Sequence, residues 1–469
     1  VICIVSFSQE NTPLANNQGI LQGNMQMDAQ YYNPDSTIGA APVPEKMLMN
    51  GFMNINYTRG NFKAGIRYES YLNTIQGFNP KYKGNGIPYR FATYTADELE
   101  VTAGNFYEQF GSGLVLRTYE ERGLGIDNVF DGIRLKYTIK GIYMKGLIGK
   151  QRSYFSQGPG ITRAFDTEVQ LNELIAKWSE SSTRISIGGS FVSKYQDGDK
   201  VIYLTHTLNV PQNVGASAGR ISINRKKNRL MAEYAYKIND PSAINKYIYR
   251  PGEAILLSYT YSTKGFGFSM SGKRIDNFSF KSDRNATGID VDMNFLPALN
   301  RQHTYALMAF YPYATNPRGE ISYLIDIQKK IKKGSKLGGK YGMDIAINYS
   351  GANGLDTTTT IPEYDSTRIG YTTNQFALGE VYYQDVNIEL TKKLTPKLKI
   401  MLLYSNQVYN KNVIQGLAGY KVIYSNIAMT EISYKINSSN SVRMEMPVSY
   451  THLRAHETKA NLVCRLLLE

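Results

Sequence analysis

The chain of 469 residues has only two cysteines, Cys3 and Cys464, one near each end. Nothing between them can form a disulfide, ligate a metal through sulfur or attack as a thiolate. Histidine is nearly as scarce. His206, His303, His452 and His456 stand alone, without a recognisable Ser–His–acid constellation, so protease or phospholipase chemistry has no support. No stretch approaches the ~18 consecutive apolar residues of a membrane-crossing helix. Helical spacing is confined to the final residues and to Leu171–Trp178, whereas a soluble chain of this length ordinarily shows more of it, and two or more domains. Gly111-Ser112-Gly113 and Gly158-Pro159-Gly160 lack the strand–loop–helix setting of a phosphate cradle. Asp197-Gly198-Asp199 lacks the further ligands of a calcium loop. These residues imply no cofactor, no metal and no enzyme.

What the chain does have is period-two alternation along almost its whole length. Leu21, Gly23, Met25, Met27, Ala29 and Tyr31 interleave with Gln22, Asn24, Gln26, Asp28, Gln30 and Tyr32. A β-strand sends successive side chains to opposite faces, so such a segment has one apolar and one polar face. The pattern recurs in Met49–Tyr57, Phe62–Ser70, Ile133–Ile139, Ile185–Tyr195, Leu230–Ile238, Phe266–Arg274, Ile321–Ile327, Tyr341–Tyr349 and Leu398–Asn406. In Leu230–Ile238 it sets Leu230, Ala232, Tyr234, Tyr236 and Ile238 against Glu233 and Lys237, the former towards lipid and the latter towards a lumen. On this reading a change at Glu233 is mild. Short links (Thr58–Asn61, Lys140-Gly141, Arg225–Asn228, Thr263–Gly265, Leu296–Arg301, Lys332–Gly339, Lys392–Pro396, Asn437–Asn440) alternate with long ones. The long links are Asn33–Glu45, Asn73–Tyr89, Ser153–Ala164, Gln196–Gly215, Asn239–Gly252, Gly351–Ala377 and Asn410–Tyr420. Tight turns on one side and longer loops on the other are the pattern of an all-β, large antiparallel transmembrane β-barrel. Alternation begins by Gly19, so a TonB-dependent transporter, with its globular plug ahead of the first strand, is disfavoured.

The ends read differently. Residues 1–8 look like the clipped end of a secretory signal peptide. After Met446 the alternation is expected to stop, and 448–469 resembles translated sequencing-adapter read-through. The barrel is therefore expected over 9–447, truncated at its C-terminus, with about twenty strands present and 22 or more when complete. The 37 tyrosines suit interfacial girdles and a wet lumen, and a mean hydropathy of −0.35 is compatible with strands that show lipid only alternate residues. The net charge of +14 gathers in tight links such as Arg225-Lys226-Lys227 and Lys329-Lys330-Ile331-Lys332-Lys333, which read as solvated turns. No nucleic-acid module accompanies them.

One region, Phe106–Phe130, breaks the ladder. Asn105, Glu108, Arg117, Glu120, Glu121, Arg122 and Asp127 form the densest polar cluster of the chain. Such residues cannot face lipid, so they are expected in the lumen or at its mouth. The string Gly104–Leu114 with Arg117–Arg122 and Leu124–Asn128 resembles a family of uncharacterised Bacteroidota-type outer-membrane barrel proteins. Phe295–Leu299 with Arg301–Tyr305 and Tyr311-Pro312-Tyr313 is similar to a second signature of that family. The resemblance implies location and architecture and no activity. The expectation is a porin-like channel in the outer membrane of a Gram-negative bacterium, passing a solute or polymer. The alternative is a scaffold barrel with an occluded lumen that serves an envelope assembly. The expected partners are outer-membrane lipid and lipopolysaccharide, with envelope proteins possible and nucleic acid excluded.

Overall fold

The computed structural model describes residues 19–37, 39, 45–198, 200–203, 206–359, 368–416, 422–453, 459–462 and 465–468. Residues 1–8, Asp199 and both cysteines lie outside the described residues. The strands begin with β1 (Ile20–Tyr31), β2 (Met47–Arg59), β3 (Phe62–Asn73), β4 (Gly84–Ala96), β5 (Leu99–Phe106), the short β6 (Glu120–Glu121) and β7 (Ile126–Asp127), and β8 (Phe130–Ile139). They continue with β9 (Ile142–Ser153), β10 (Ser156–Gln170), β11 (Thr183–Tyr195), the small pair β12 (Val201–Tyr203) and β13 (His206–Leu208), β14 (Asn213–Arg225) and β15 (Asn228–Lys237). Then come β16 (Gly252–Thr263), β17 (Phe266–Asp276), β18 (Gly319–Ile331), β19 (Met343–Thr359), β20 (Tyr371–Lys393), β21 (Leu398–Asn410), β22 (Val422–Lys435) and β23 (Ser441–Leu453). The short β24 (Lys459–Leu462) and β25 (Arg465–Leu468) both lie against β23.

All but β6, β7, β12 and β13 form one 21-stranded sheet. From β1 to β23 each wall strand pairs antiparallel with the next wall strand in the chain. Among the described residues β1 pairs only with β2. The sheet is nevertheless rolled. In a flat sheet β3 and β9, four strand spacings apart, would stand ~19 Å from each other, at about 4.8 Å per strand. Glu69 of β3 and Arg152 of β9 pair directly at 2.6 Å, and two such side chains with the bond between them span at most ~15 Å when fully extended. The architecture is a large antiparallel β-barrel, with no helix long and apolar enough to cross a membrane among the described residues.

The alternation read from the sequence decides the faces. In β15, Leu230, Tyr234 and Tyr236 are exposed on the outside while Glu233 and Lys237 are buried inside. An arginine at Tyr234 should cost ~2–4 kcal/mol at the bilayer midplane, falling towards zero near an interface. Urea unfolding in lipid vesicles measures this, and an unchanged midpoint would put the register one residue out.

The turns follow local chemistry. Lys140 (φ +32°) and Gly141 (φ +80°) both take left-handed backbone, the arrangement of a two-residue hairpin. A Cβ at Gly141 would also lie 2.7 Å from Glu173 Cβ. Four expectations need correction. Ser153–Ala164 is no long link: the chain reverses at Tyr154-Phe155 and continues as β10, with a register shift between Gln157 and Ile161 absorbing its glycines. Gly351–Ala377 is largely strand, because β19 and β20 extend past the rest of the wall. Alternation does not stop at Met446; β23 continues to Leu453 with Val448 and Tyr450 exposed. Finally, Leu296–Arg301 is not a tight turn but the middle of a long segment, 277–318, that enters the barrel.

Candidate pore constriction

Two segments leave the long-loop side and fold inward: 107–129, between β5 and β8, and 277–318, between β17 and β18. The first has an apolar half and a polar half. In the apolar half, Phe110 N donates to Leu116 O (3.0 Å) and Gly113 N to Phe110 O (2.9 Å), which makes a compact loop. Its residues Phe110, Leu114, Val115 and Leu116 are fully buried. They pack in one core with inward-facing Ala164, Ala216, Ala218, Ala235 and Ala254 of the wall. Small side chains there leave the space that the loop fills. Gly111 sits at φ +52°, and a Cβ would fall 2.8 Å from Glu233 Oε1, so only glycine fits this approach to the wall. Glu233 Oε2 accepts from Ser112 N at 2.8 Å. A change at Glu233 is therefore not mild, contrary to the expectation from alternation alone, because it removes the acceptor of a buried loop amide.

The polar half, Tyr119–Asn128, is a small lobe in which β6 pairs with β7. Arg67 of β3 reaches Glu120 (2.9 Å), Asp127 (2.6 Å) and its own neighbour Glu69 (2.6 Å). Arg152 of β9 reaches Glu69 and Asp127, both at 2.6 Å. Tyr107 Oη donates to Asp127 Oδ1 at 2.9 Å. Arg122 closes the group, 2.7 Å from Glu120 and donating to Gln26 of β1 at 3.2 Å. Three guanidiniums thus face three carboxylates, and charge-assisted bonds of this kind are among the stronger polar contacts.

Glu108 makes a second anchor, with Lys145 of β9 at 2.8 Å and Arg134 and Lys136 of β8 at 3.5 and 3.6 Å. Burial works to raise its carboxyl, but the Lys145 and Lys136 charges and the Gln109 N–H outweigh this and hold it below the usual range. Its stabilisation is complete above the unfolded-state value and is lost as pH falls through the lowered folded one. Acidification through that window should weaken the wild type, and Glu108→Gln should remove part of the slope. Identical pH profiles of thermal unfolding would mean that this carboxylate does not hold the loop.

The remaining expected cluster members divide. Arg117 enters no ion pair among the described residues and stacks on Phe295 (4.0 Å) and Tyr119 (5.2 Å). Asn105 stays in the wall, accepting from Arg90 N (2.7 Å) and donating to Phe130 O (3.4 Å). Glu121 is exposed, with no ion pair among the described residues, so it is not part of the network. Arg67, Glu69 and Arg152 were missed. Their signal was present in the sequence as two opposite charges at i and i+2 on the lumen face of Phe62–Ser70.

The second segment crosses to the opposite wall. Lys273 of β17, fully buried against Glu320 of β18 (2.8 Å), donates to Pro297 O (2.5 Å) and Thr315 Oγ1 (2.6 Å). Arg301 reaches Glu389 (2.7 Å) and Asn387 (2.6 Å) of β20. Tyr305 Oη donates to Glu431 of β22 at 2.7 Å, and Met308 packs with Met401, Leu403, Ile427 and Met429. The two segments meet where Arg117 N donates to Met293 O (2.7 Å), Phe295 N to Gly113 O (2.9 Å) and Asn128 Nδ2 to Asp292 O (2.8 Å). Together they form one body spanning the lumen from β3 and β9 to β20–β22. At its long-loop face lies a recess of about 440 Å³, lined by Phe78, Tyr82, Ile126, Asp127, Arg152, Tyr154 and Asp290 among others.

His303 of the second segment sits beside a carboxylate of β20. His303 Nε2 lies 2.5 Å from Asp385 Oδ2, and Ser405 Oγ donates to the other oxygen of that carboxylate (2.7 Å). With the acid between them, the histidine has no serine to activate. No group of three or more His, Cys, Asp or Glu that could hold a metal occurs among the described residues.

Residues 1–467 match the profile of a single family, DUF6029, a family of unknown function. The chain belongs to the DUF6029 family. The strings Gly104–Asn128 and Phe295–Tyr313, singled out in the sequence, fall almost wholly within the two inward segments of the barrel. No curated protein matches this DUF6029 chain. Among solved structures it is similar to OccAB4 of Acinetobacter baumannii (10% identity, 96% of each chain, TM-score 0.34). It is also similar to OpdL of Pseudomonas aeruginosa (11% identity, 96% of this chain and 97% of that one, TM-score 0.33). A third is a BenF-like porin from Pseudomonas fluorescens Pf-5 (10% identity, 96% and 98%, TM-score 0.32).

Proposed function

We propose that this DUF6029 protein is an outer-membrane channel for small polar solutes, in which the joined inward segments form the constriction. The observation that carries the reading is the asymmetric filling of the lumen. The joined segments are fixed to β3, β8, β9, β15, β17 and β20–β22 and meet β1 and β2 through Arg122, at Gln26 and over the Phe52 ring, whereas Gln22, Asn24 and Gln30 of β1 and Asn56 of β2, on the inner face, remain exposed to water. A polar strip beside a fixed obstruction supports a narrow wet path along the β1–β2 wall, past the point where Arg122 of the Tyr119–Asn128 lobe reaches Gln26. Exposed Glu121 on the lobe faces solvent without an ion pair among the described residues, so it supplies a negative charge to that path. Charged groups at a constriction set ion preference.

The scaffold reading has one observation in its favour: the dry core around Phe110 and Leu116 seals part of the lumen. Planar-bilayer recording separates the two. A channel should show small, discrete, weakly cation-preferring conductance, and Glu121→Gln should reduce the preference. A protein inserted correctly, as judged by heat-modified migration, that conducts nothing in either form would favour the scaffold.

A further inference from the structure

The rim that carries the tight turns is divided in charge. From β2–β3 round to β10–β11 its connections hold Asp97, Glu98, Glu173 and Glu180 against Lys140 and Lys177. From β14–β15 round to β20–β21 each connection holds lysine and no carboxylate, and the β22–β23 connection, 436–440, is uncharged. The densest stretch is the β18–β19 connection, 332–342, where Lys332, Lys333, Lys336 and Lys340 are all exposed.

Three adjoining turns are joined into one surface. Lys392 Nζ donates to Leu337 O at 2.9 Å, linking β20–β21 to β18–β19. Lys397 Nζ donates to Ile436 O at 3.3 Å, linking β20–β21 to β22–β23. Each turn also holds one large aliphatic side chain in solvent: Leu337 is 64% exposed, Leu394 47% and Ile436 49%. Scattered exposed aliphatics are ordinary, but three on linked turns, set among lysines, make a patch.

We propose that these three turns are a docking surface for an acidic amphipathic peptide segment of a protein partner on the tight-turn side of the membrane. The lysines complement its carboxylates and the aliphatic tips take its apolar side chains. Lysine, a flexible point charge, tolerates several registers and suits fast association more than a rigid fit. Charge asymmetry argues against the other polyanion at this level, the anionic lipid headgroup layer. That layer surrounds the barrel and would meet the acidic half-rim as well as the basic one. The surface is separate from the lumen, so the proposal stands whether or not the lumen conducts.

The test uses the whole protein in nanodiscs of uncharged lipid and three synthetic peptides of equal length, built from leucine and glutamate, serine and glutamate, or leucine and lysine. The leucine–glutamate peptide should bind, and should weaken ~10-fold or more when screening is raised to ~0.5 M salt. Substituting Lys332→Glu, Lys333→Glu and Lys336→Glu together should weaken it ~10-fold or more, and Leu337→Ser with Leu394→Ser ~3–10-fold. Lys140→Glu with Lys177→Glu, on the other half-rim, should leave binding unchanged. All these side chains lie at the rim, and unaltered heat-modified migration confirms that each variant is folded. Absence of binding overturns the proposal. So does equal binding of the serine–glutamate peptide, which would mark a non-specific polyanion surface, or loss of binding in the half-rim control. Adding phosphatidylglycerol to the nanodiscs should leave peptide binding in place. Its abolition would assign the patch to lipid headgroups instead.

Discussion

Replacing Arg152 with methionine should destabilise the folded barrel by about 3–5 kcal/mol and raise its conductance, because it leaves buried carboxylates without their partner. The Arg152 guanidinium lies 2.6 Å from Glu69 and from Asp127, and all three side chains are buried. Methionine fills much of the volume and offers no donor, so Glu69 and Asp127 must share Arg67. Asp127 belongs to the Tyr119–Asn128 lobe, which touches the wall mainly through these polar contacts, so the lobe should loosen while the apolar half stays packed. Arg152→Lys keeps the charge and loses the fork, and an intermediate effect is expected. Urea unfolding in lipid vesicles and planar-bilayer recording measure the two effects. Lost stability with unaltered conductance would mean that the lobe is not the barrier. Arg117, which stacks on Phe295 instead of pairing, should change conductance much less when neutralised.

Lys273→Met should be as damaging, again about 3–5 kcal/mol, because Glu320 would be left charged and unpaired in a dry site. Both side chains have no exposed surface and stand 2.8 Å apart. Lys273 also holds Pro297 O and Thr315 Oγ1, the points at which the second segment meets the wall. The double change Lys273→Met with Glu320→Met should recover a good part of the loss, since a buried ion pair can be replaced by apolar residues at little net cost. Tyr313 Oη and Asn316 N, both donors to Glu320, would then lose their acceptor, so recovery should be incomplete. A double variant no better than the single one would show that these hydrogen bonds, and not the unpaired charge, dominate the site.

The two networks differ in how far they could be read in advance. Glu108, Glu120, Arg122 and Asp127 stood out as charges in a chain that otherwise alternates, and all four contact the wall. Their partners did not stand out. Arg67 and Glu69 look like ordinary lumen-facing residues of a strand, and Arg152 ends a strand that was expected to open into a long loop. Leu296–Arg301 was misjudged for a related reason: a polar stretch with a proline has the composition of a turn whether it faces water or the interior of a barrel.

By itself the sequence determined the fold class, the strand faces and the side of the wall on which most connections lie. Each of these follows from period-two alternation and from turn residues, which act over a few neighbouring positions. Tertiary structure alone decided what fills the lumen. The two inward segments have no period, and their places are fixed by contacts across large sequence separations, such as Arg67 with Asp127, Ser112 with Glu233 and Tyr305 with Glu431. Those contacts exist only because the sheet rolls up and brings distant strands around a common interior, and curvature is a property of the whole wall that no local stretch of residues encodes.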